Sequence, residues 1–526
     1  MKILLIIILL DTLFIISSLF ELLMLQQNSY NENKSFAKFM ASFVKKEYQV
    51  YFLKFLFGIC LILFTDFSNI LTVFYFVICS ILLLKAYLDF RKYNDKLPLK
   101  YTKRMIRIMS FDYLLFLVLE LLLKRLALPV SVGILMLYIT FNSLILIVIV
   151  YLLRPVEKTI FNHYKKEALD KLSKMQGINI IGITGSFGKT STKMILESIL
   201  STTYKGFYTP NSFNTPNGLL MTINKEQTIF NDYFIAEMGA KKVGEIKELA
   251  DLVHPKYGIL TSIGAAHLET FKSIDNICKT KFELIESLPS DGVAVLNKDD
   301  EYMVNYNLKN NCEVIWIGIE NDADVTAKNI KVSNKGTSFD IIFKDSKEKI
   351  KANTILLGNK NVYNILASVA LAKKLGVTNA NIARGISNIA PINHRLEIKE
   401  YQNITIIDDA FNSNPVGAKN ALDVLSLMDN QKFIITPGMI EMGEEEETLN
   451  YEFGKQIASV CDMVFLVGPK HTKPIYLGLK DENYDENDII VVSSFKEGYQ
   501  KAMELAGNKK TNILIENDLP DSYTEG

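Results

Sequence analysis

Cysteine is scarce in this chain. Only five occur in 526 residues (Cys60, Cys79, Cys278, Cys312 and Cys461), with no Cys-x-x-Cys pair and no regular spacing. That excludes a disulfide framework and a zinc knuckle, and it fits a reducing compartment. A charge of one sign is missing too. The 58 basic and 58 acidic residues cancel, which excludes a generally nucleic-acid-binding surface. No internal repeat and no low-complexity linker interrupts the sequence. The cancelled charge conceals an asymmetry, because residues 1–155 hold 17 Lys/Arg against 9 Asp/Glu and the remainder 41 against 49. A basic, very apolar front and a mildly acidic rear predict a membrane part fused to a soluble part.

Apolar runs fall near 3–25, 49–65, 69–88, 110–126 and 130–153. A helix needs about 20 apolar residues to cross hydrocarbon. The second run is short and contains Lys54, so four or five spans are expected. A signal peptide does not explain so many. The 26–48 loop carries Lys34, Lys38, Lys45 and Lys46, and the 89–108 loop carries seven Lys/Arg, among them Arg91, Arg104 and Arg107. Basic loops stay cytoplasmic. Five spans with the N-terminus outside therefore put both loops, and everything after Arg154, in the cytoplasm. Asp11, Glu21, Asp112 and Glu120 lie within or beside these runs. Intramembrane carboxylates are costly and often functional, although several of these suit interface positions.

After Pro155 the periodicity changes. Residues 157–176 read as a polar amphipathic helix and Ile178 to Ile181 as a short buried strand. Then comes Gly182-Ile183-Thr184-Gly185-Ser186-Phe187-Gly188-Lys189-Thr190, followed by a helical run from Ser191 to Leu200. Strand, glycine-rich turn, Lys-Thr and helix form the context of a phosphate loop, although Ile183 stands at the usual first glycine. Glycines let backbone N–H groups crowd phosphates at a helix N-terminus. Lys189 would reach the terminal phosphate and the Thr190 hydroxyl would ligate Mg²⁺.

The segment Thr184 to Thr190 resembles the ATP loop of the Mur ligases, a family of ATP-dependent amide-bond ligases. Other pieces resemble the family's motifs in the same order: Asn214-Thr215-Pro216-Asn217-Gly218, Ala236-Glu237-Met238-Gly239-Ala240, and Gly264-Ala265-Ala266-His267-Leu268-Glu269 with Lys281 after it. Leu296-Asn297-Lys298-Asp299-Asp300, Gly358 to Asn364, His394-Arg395-Leu396-Glu397 and Asp408-Asp409-Ala410-Phe411-Asn412-Ser413-Asn414-Pro415 follow. The resemblance covers about 180–526, with its nearest likeness in the D-alanyl-D-alanine-adding branch.

This resemblance implies a reaction and roles. ATP phosphorylates a carboxylate, an amine attacks the acyl phosphate, and phosphate leaves. Lys189, Lys281 and Arg395 take the catalytic positions, Lys281 as the family's carbamylated lysine and Arg395 near the γ-phosphate. Nucleotide binding falls to Gly185, Ser186, Phe187, Gly188, Lys189, Thr190, Ser191, Asn297, Asn361, Asn364 and Asp409. Thr190 is the implied ligand of one Mg²⁺, and Glu237 and His267 are the implied ligands of a second metal between γ-phosphate and carboxylate, Mg²⁺ or, with a histidine present, Mn²⁺. Asn214, Thr215, Asn412 and Asn414 are the implied substrate contacts. Blander readings stay open: Asn297 as a turn residue, Asn361 as a helix cap, and Lys281 as a solvated lysine.

The match departs from the family in four places. Membrane runs replace the uridine-nucleotide domain. Lys360 stands where Gly-x-His-Asn has its histidine. Pro437 to Gly443 differs from Gly-Asp-Met-x-Glu-Leu-Gly. The stretch Ile513 to Asp521 replaces Lys-Gly-Ser-Arg and puts Glu516 and Asp518 at an edge expected to meet the amine.

The expected architecture is an α-helical membrane region over 1–155, a P-loop Mur-ligase central ATP-binding domain over 156–392 and a Rossmann-like C-terminal α/β domain over 393–526. Residues 311–350 read as a β-rich insertion. The expected function is a membrane-embedded ligase, multi-pass in the cell membrane with its catalytic domains in the cytoplasm. It would use ATP and Mg²⁺ to join an amino acid or short peptide to a carboxylate-bearing envelope precursor, lipid-linked by the logic of the fusion. Its partners would be the lipid bilayer and these substrates, with no nucleic acid. A transport protein with a P-loop motor and a nucleotide-binding scaffold without turnover are the alternatives. Lys189→Ala separates an enzyme from a scaffold.

Overall fold

The computed structural model describes residues 2–27, 48–64, 68–96, 98–175, 177–226, 230–266, 268–346, 348–411, 413–440 and 442–517. His267, Asn412 and Asp518, and most of the 26–48 loop, lie outside them. Two compact units form, residues 1–163 and 164–526.

The first unit is helical: α1 Lys2–Gln27, α2 Tyr48–Ile62, α3 Asn69–Lys96, α4 Lys103–Leu123, α5 Leu128–Thr140 and α6 Asn142–Lys174. Within the described residues, each of the five apolar runs is mostly helical. Among the described residues, however, only Lys2–Gln27 and Ile70–Lys92 suffice by length and composition to cross a membrane, and α5 with α6, bent by 68°, adds at most a third. The run at 130–153 is thus broken rather than straight. Thr140 Oγ1 donates back to the Met136 carbonyl at 2.8 Å, a bond that bends helices, and the Asn142 side chain is drawn to Asp112 at 2.9 Å. Asp112 itself is fully buried and also accepts from Ser18 Oγ at 2.7 Å and Tyr138 OH at 2.8 Å. The outer faces are apolar. Along α3, Ile70, Val73, Phe74, Val77, Ile81, Leu84 and Leu88 are all at least half exposed.

The second unit holds two sheets. The first has nine strands in the order β2-β3-β1-β4-β5-β6-β7-β8-β9. These are β1 Asn179–Thr184, β2 Gly206–Tyr208, β3 Tyr233–Glu237, β4 Tyr257–Leu260, β5 Val293–Asn297, β6 Glu313–Gly318, β7 Val325–Ser333, β8 Gly336–Phe343 and β9 Lys349–Thr354. Pairing is parallel from β2 to β7 and antiparallel for β7–β8 and β8–β9. The strands read as an insertion therefore extend the main sheet, because β5 pairs along its whole length with β6. Runs such as Ile180-Ile181 and Phe234-Ile235-Ala236 suit strands covered on both faces. Ile181, Ile183 and Ile235 pack in one buried cluster with Ile195, Ile199, Val362, Ile365 and Val369 of the covering helices.

The second sheet runs β10-β11-β15-β12-β13-β14. Its strands are β10 Glu397–Tyr401, β11 Ile404–Asp409, β12 Gln431–Thr436, β13 Met463–Val467, β14 Ile489–Val492 and β15 Thr511–Glu516. Only β10 is antiparallel. In open parallel sheets, ligands bind beyond the carboxyl ends of the strands. The residues after β1, β3 and β11 occupy that position.

Candidate active site

The turn after β1 is shaped by two glycines. Gly185 has φ +151°, and a Cβ there would meet Thr261 Oγ1 at 2.1 Å; Gly188 has φ +83°, and its Cβ would lie 2.7 Å from Asn364 Oδ1. Side chains do not fit either place. The Ser186 and Phe187 amides are held by Ser262, through its carbonyl at 2.9 Å and its hydroxyl at 3.0 Å. The helix Lys189–Leu200 then starts at Gly188. Lys189 Nζ donates to the Gly185 carbonyl at 2.6 Å and the Ser186 carbonyl at 3.1 Å. Burial lowers its pKa to about 8. Ser191 is buried in the first turn.

Glu237 ends β3 beside this helix and is 1% exposed. Its carboxylate accepts from Thr190 Oγ1 at 3.1 Å, Asn214 Nδ2 at 3.3 Å and Lys193 Nζ at 2.9 Å. Across from it, Arg395 stacks 4.2 Å over the Phe411 ring. A cleft of about 410 Å³ lies between, lined by Lys189, Thr190, Glu237, Arg395, Ser413 and Asn414 among others. A second cavity of about 320 Å³ shares Ser186 and Lys189 and reaches Thr215, Phe271 and Lys281. Lys281 is 3% exposed. Burial, reinforced by Lys189, pushes its pKa down to about 7. A lysine neutral near pH 7 is the form that CO₂ carbamylates, and the solvated reading does not hold for a side chain this buried.

The remaining positions make structural contacts. Asn297 accepts from the Asp299 amide at 3.0 Å and so forms a turn. Asn361 donates to the Leu357 carbonyl at 2.9 Å, and Asn364 links Asn361 to Thr192 Oγ1. This pair sits under Gly188 but outside the lining of the two cavities. Thr215 and Asn414 cap the helices Pro216–Lys225 and Pro415–Ser426. Asp409 accepts from the Leu396 amide at 3.2 Å, and burial raises its pKa to about 6. Glu516 is paired in register with Asp409. It is 1% exposed and accepts from Ser413 Oγ at 2.6 Å. Because Ser413 stands between it and the cleft, Glu516 presents no acidic edge there. Lys193 and Ser262 were not singled out from sequence. The signal for Lys193 was its place on the buried face of the helix, one turn after Lys189.

For the implied divalent cation, Thr190 and Glu237 supply hard oxygens 3.1 Å apart at a helix N-terminus. With nucleotide phosphates and water these suit Mg²⁺. Among the described residues, which do not include His267, no cluster of three or more His, Cys, Asp or Glu gathers.

Comparison with known proteins gives the family. The Mur ligase middle domain matches residues 183–372 and the Mur ligase glutamate ligase domain matches 394–515. The chain is 31% identical over 316 residues to the UDP-N-acetylmuramoyl-tripeptide–D-alanyl-D-alanine ligase of Escherichia coli, covering 59% of this chain and 69% of that one. For the Bacillus subtilis ligase of the same name the figures are 32% over 314 residues, 57% and 66%. A MurF ligase from Thermotoga maritima, solved with ADP, superposes with a TM-score of 0.60 at 25% identity, covering 68% of this chain and 80% of its own. MurF from Acinetobacter baumannii gives 0.63 at 23% identity, with coverage of 69% and 78%. A glycine-pinned phosphate loop, a carboxylate and buried lysines at its mouth, and two matched domains together make this chain a member of the Mur ligase family, an ATP-dependent ligase that forms carbon–nitrogen bonds.

Proposed function

We propose that this chain is a membrane-embedded ligase of the D-alanyl-D-alanine-adding type. It would join that dipeptide, or a similar short peptide amine, to a carboxylate on a peptidoglycan precursor at the cytoplasmic face of the membrane. The observation that carries the reading is the meeting of Lys189, Thr190, Glu237 and Arg395 around one cleft, with Lys281 in the adjoining cavity.

A carboxylate oxygen attacks the γ-phosphorus of ATP, forming one P–O bond as the bond to ADP breaks. Two anions approach each other in this step, so fixed cations lower its barrier. Lys189 and Arg395 flank the cleft for that purpose. The amine nitrogen then attacks the acyl carbon, loses a proton to water, and phosphate leaves with the bridging oxygen. By resemblance, Thr190 would hold one Mg²⁺, and Glu237 and His267, faced by carbamylated Lys281, would hold a second divalent ion; when bound, these would supply further charge neutralisation. Nucleotide contacts are assigned to residues 185–191 and, by resemblance, Asn297, Asn361, Asn364 and Asp409. Asn214, Thr215, Asn412 and Asn414 are assigned to substrate.

Membrane embedding is supported by the inverted character of residues 1–163. Large apolar side chains face outward while Asp112, Ser18 and Asn142 face inward. A soluble surface rarely exposes so continuous an apolar stripe. The basic 89–108 segment favours the cytoplasmic side, and a multi-pass anchor replacing a substrate domain favours a lipid-linked or membrane-proximal acid. The domain limits 1–155, 156–392 and 393–526 belong to the same reading. The test is phosphate release by detergent-solubilised full chain. It should require ATP, UDP-N-acetylmuramoyl-tripeptide or its lipid-linked form, and D-alanyl-D-alanine together. If the chain lacking residues 1–155 turns over the soluble acceptor as fast as the full chain, the membrane-substrate part of the reading is wrong.

A further inference from the structure

Lys193 has no place in the chemistry above, yet it is 0% exposed. Burying an ammonium is costly unless its protons are taken up. Its Nζ lies 2.9 Å from Glu237 Oε2 and also donates to the Asn211 carbonyl. Asn211 has φ +47° and turns the chain toward Asn214. Asn214 in turn reaches the other Glu237 oxygen, Oε1, at 3.3 Å. One buried ammonium therefore ties together the phosphate-loop helix, the end of β3 and the asparagine loop. It also cancels the charge of the carboxylate that faces the cleft.

We propose that Lys193 is a positioning residue that keeps Glu237 from holding a divalent cation by itself, so that the cation enters only together with nucleotide. Oε2 accepts from Lys193 at 2.9 Å and Oε1 from Asn214 at 3.3 Å, while Thr190 Oγ1 reaches both, at 3.1 and 3.2 Å, so neither oxygen is left without a donor. A neutral ion pair attracts a dication weakly, and phosphate oxygens supply the missing negative charge. The benefit is order: the cation arrives with ATP rather than blocking the cleft ahead of it. This rests on the ATP-dependent reading of the cleft, but its test needs no turnover. A failed ligase assay and a failed binding assay are therefore distinguishable.

The test is Mn²⁺ binding to the full chain in detergent, read by the electron-paramagnetic-resonance signal of free Mn²⁺, first without nucleotide and then with ADP. Wild type should show no Glu237-dependent site tighter than about 1 mM without nucleotide, and one site with ADP. Lys193→Met, shown folded by circular dichroism, should gain a nucleotide-independent site at least about tenfold tighter than wild type, the scale expected for uncovering one buried charge. That site should disappear in the Lys193→Met/Glu237→Gln double variant. If wild type binds Mn²⁺ without nucleotide and Glu237→Gln abolishes that binding, the proposal is overturned. So it is if folded Lys193→Met binds no more tightly than wild type. Should Lys193→Met fail to fold, Lys193→Gln, which keeps an N–H donor for Glu237 and the Asn211 carbonyl but carries no charge, is judged by the same two outcomes.

Discussion

Replacing Lys281 by methionine should stabilise the protein, and only below a definable pH. The lysine's pKa falls from 10.5 to about 7 because the side chain is buried beside Lys189. At 1.36 kcal/mol per pH unit, holding it in place at pH 7 costs on the order of 4 kcal/mol relative to a solvated lysine. Methionine has a similar shape and no charge, and its sulfur suits the Phe271 ring over which the ammonium now sits at 5.8 Å. Between about pH 7 and 10.5 the unfolded chain binds more protons at this position than the folded one. Wild-type stability therefore rises with pH through that window, and the advantage of Lys281→Met shrinks to nothing at its upper end. For a unit of this size each kcal/mol is worth roughly 1–2 °C, so a Tm increase of about 5 °C is expected at pH 7. The assay is thermal unfolding of full chain in detergent, in CO₂-free buffer so that the neutral amine is not carbamylated. A Tm difference that is independent of pH, or a less stable variant at pH 7, refutes the reasoning. Activity should be lost in the same variant.

Lys189→Ala should reduce phosphate release that depends on both substrates by at least about 100-fold, whereas a scaffold would keep its partner binding unchanged. Gly188→Val forces a side chain into φ +83° and against Asn364. It should weaken binding of a fluorescent ATP analogue by about tenfold or more, in line with the 1–3 kcal/mol of such strain. Asp112→Ala strands the Ser18, Tyr138 and Asn142 donors in a buried place. It should destabilise the helical unit by about 3 kcal/mol, and Asp112→Asn by less, measured as loss of helical circular dichroism on heating in detergent.

Local chemistry was legible in the sequence where it is contiguous. Residues 182–190 spell strand, turn and helix start, and the structure places Lys189 and Thr190 at that turn. Long-range pairing was less legible. Strands β6 to β9 read as an insertion because nothing in their alternation says that β6 would dock along β5. The break at Phe141 was hidden inside an apolar run, since the bend depends on Thr140 and on the distant Asp112. Lys193 was missed because a lysine in a helix is usually solvated, and only the fold shows Glu237 and the Asn211 carbonyl waiting for it. Glu516 looked like a cleft residue by motif position, yet Ser413 covers it. His267 and Asn412 lie outside the described residues.

The central claim is that a carboxylate oxygen becomes part of the departing phosphate. It is tested most directly by giving the full chain an acceptor whose carboxylate carries ¹⁸O, together with ATP and D-alanyl-D-alanine. Mass analysis of the released phosphate should show one ¹⁸O atom per turnover. Phosphate that carries only oxygen from ATP and water, while ATP is consumed, would contradict an acyl-phosphate route through this cleft.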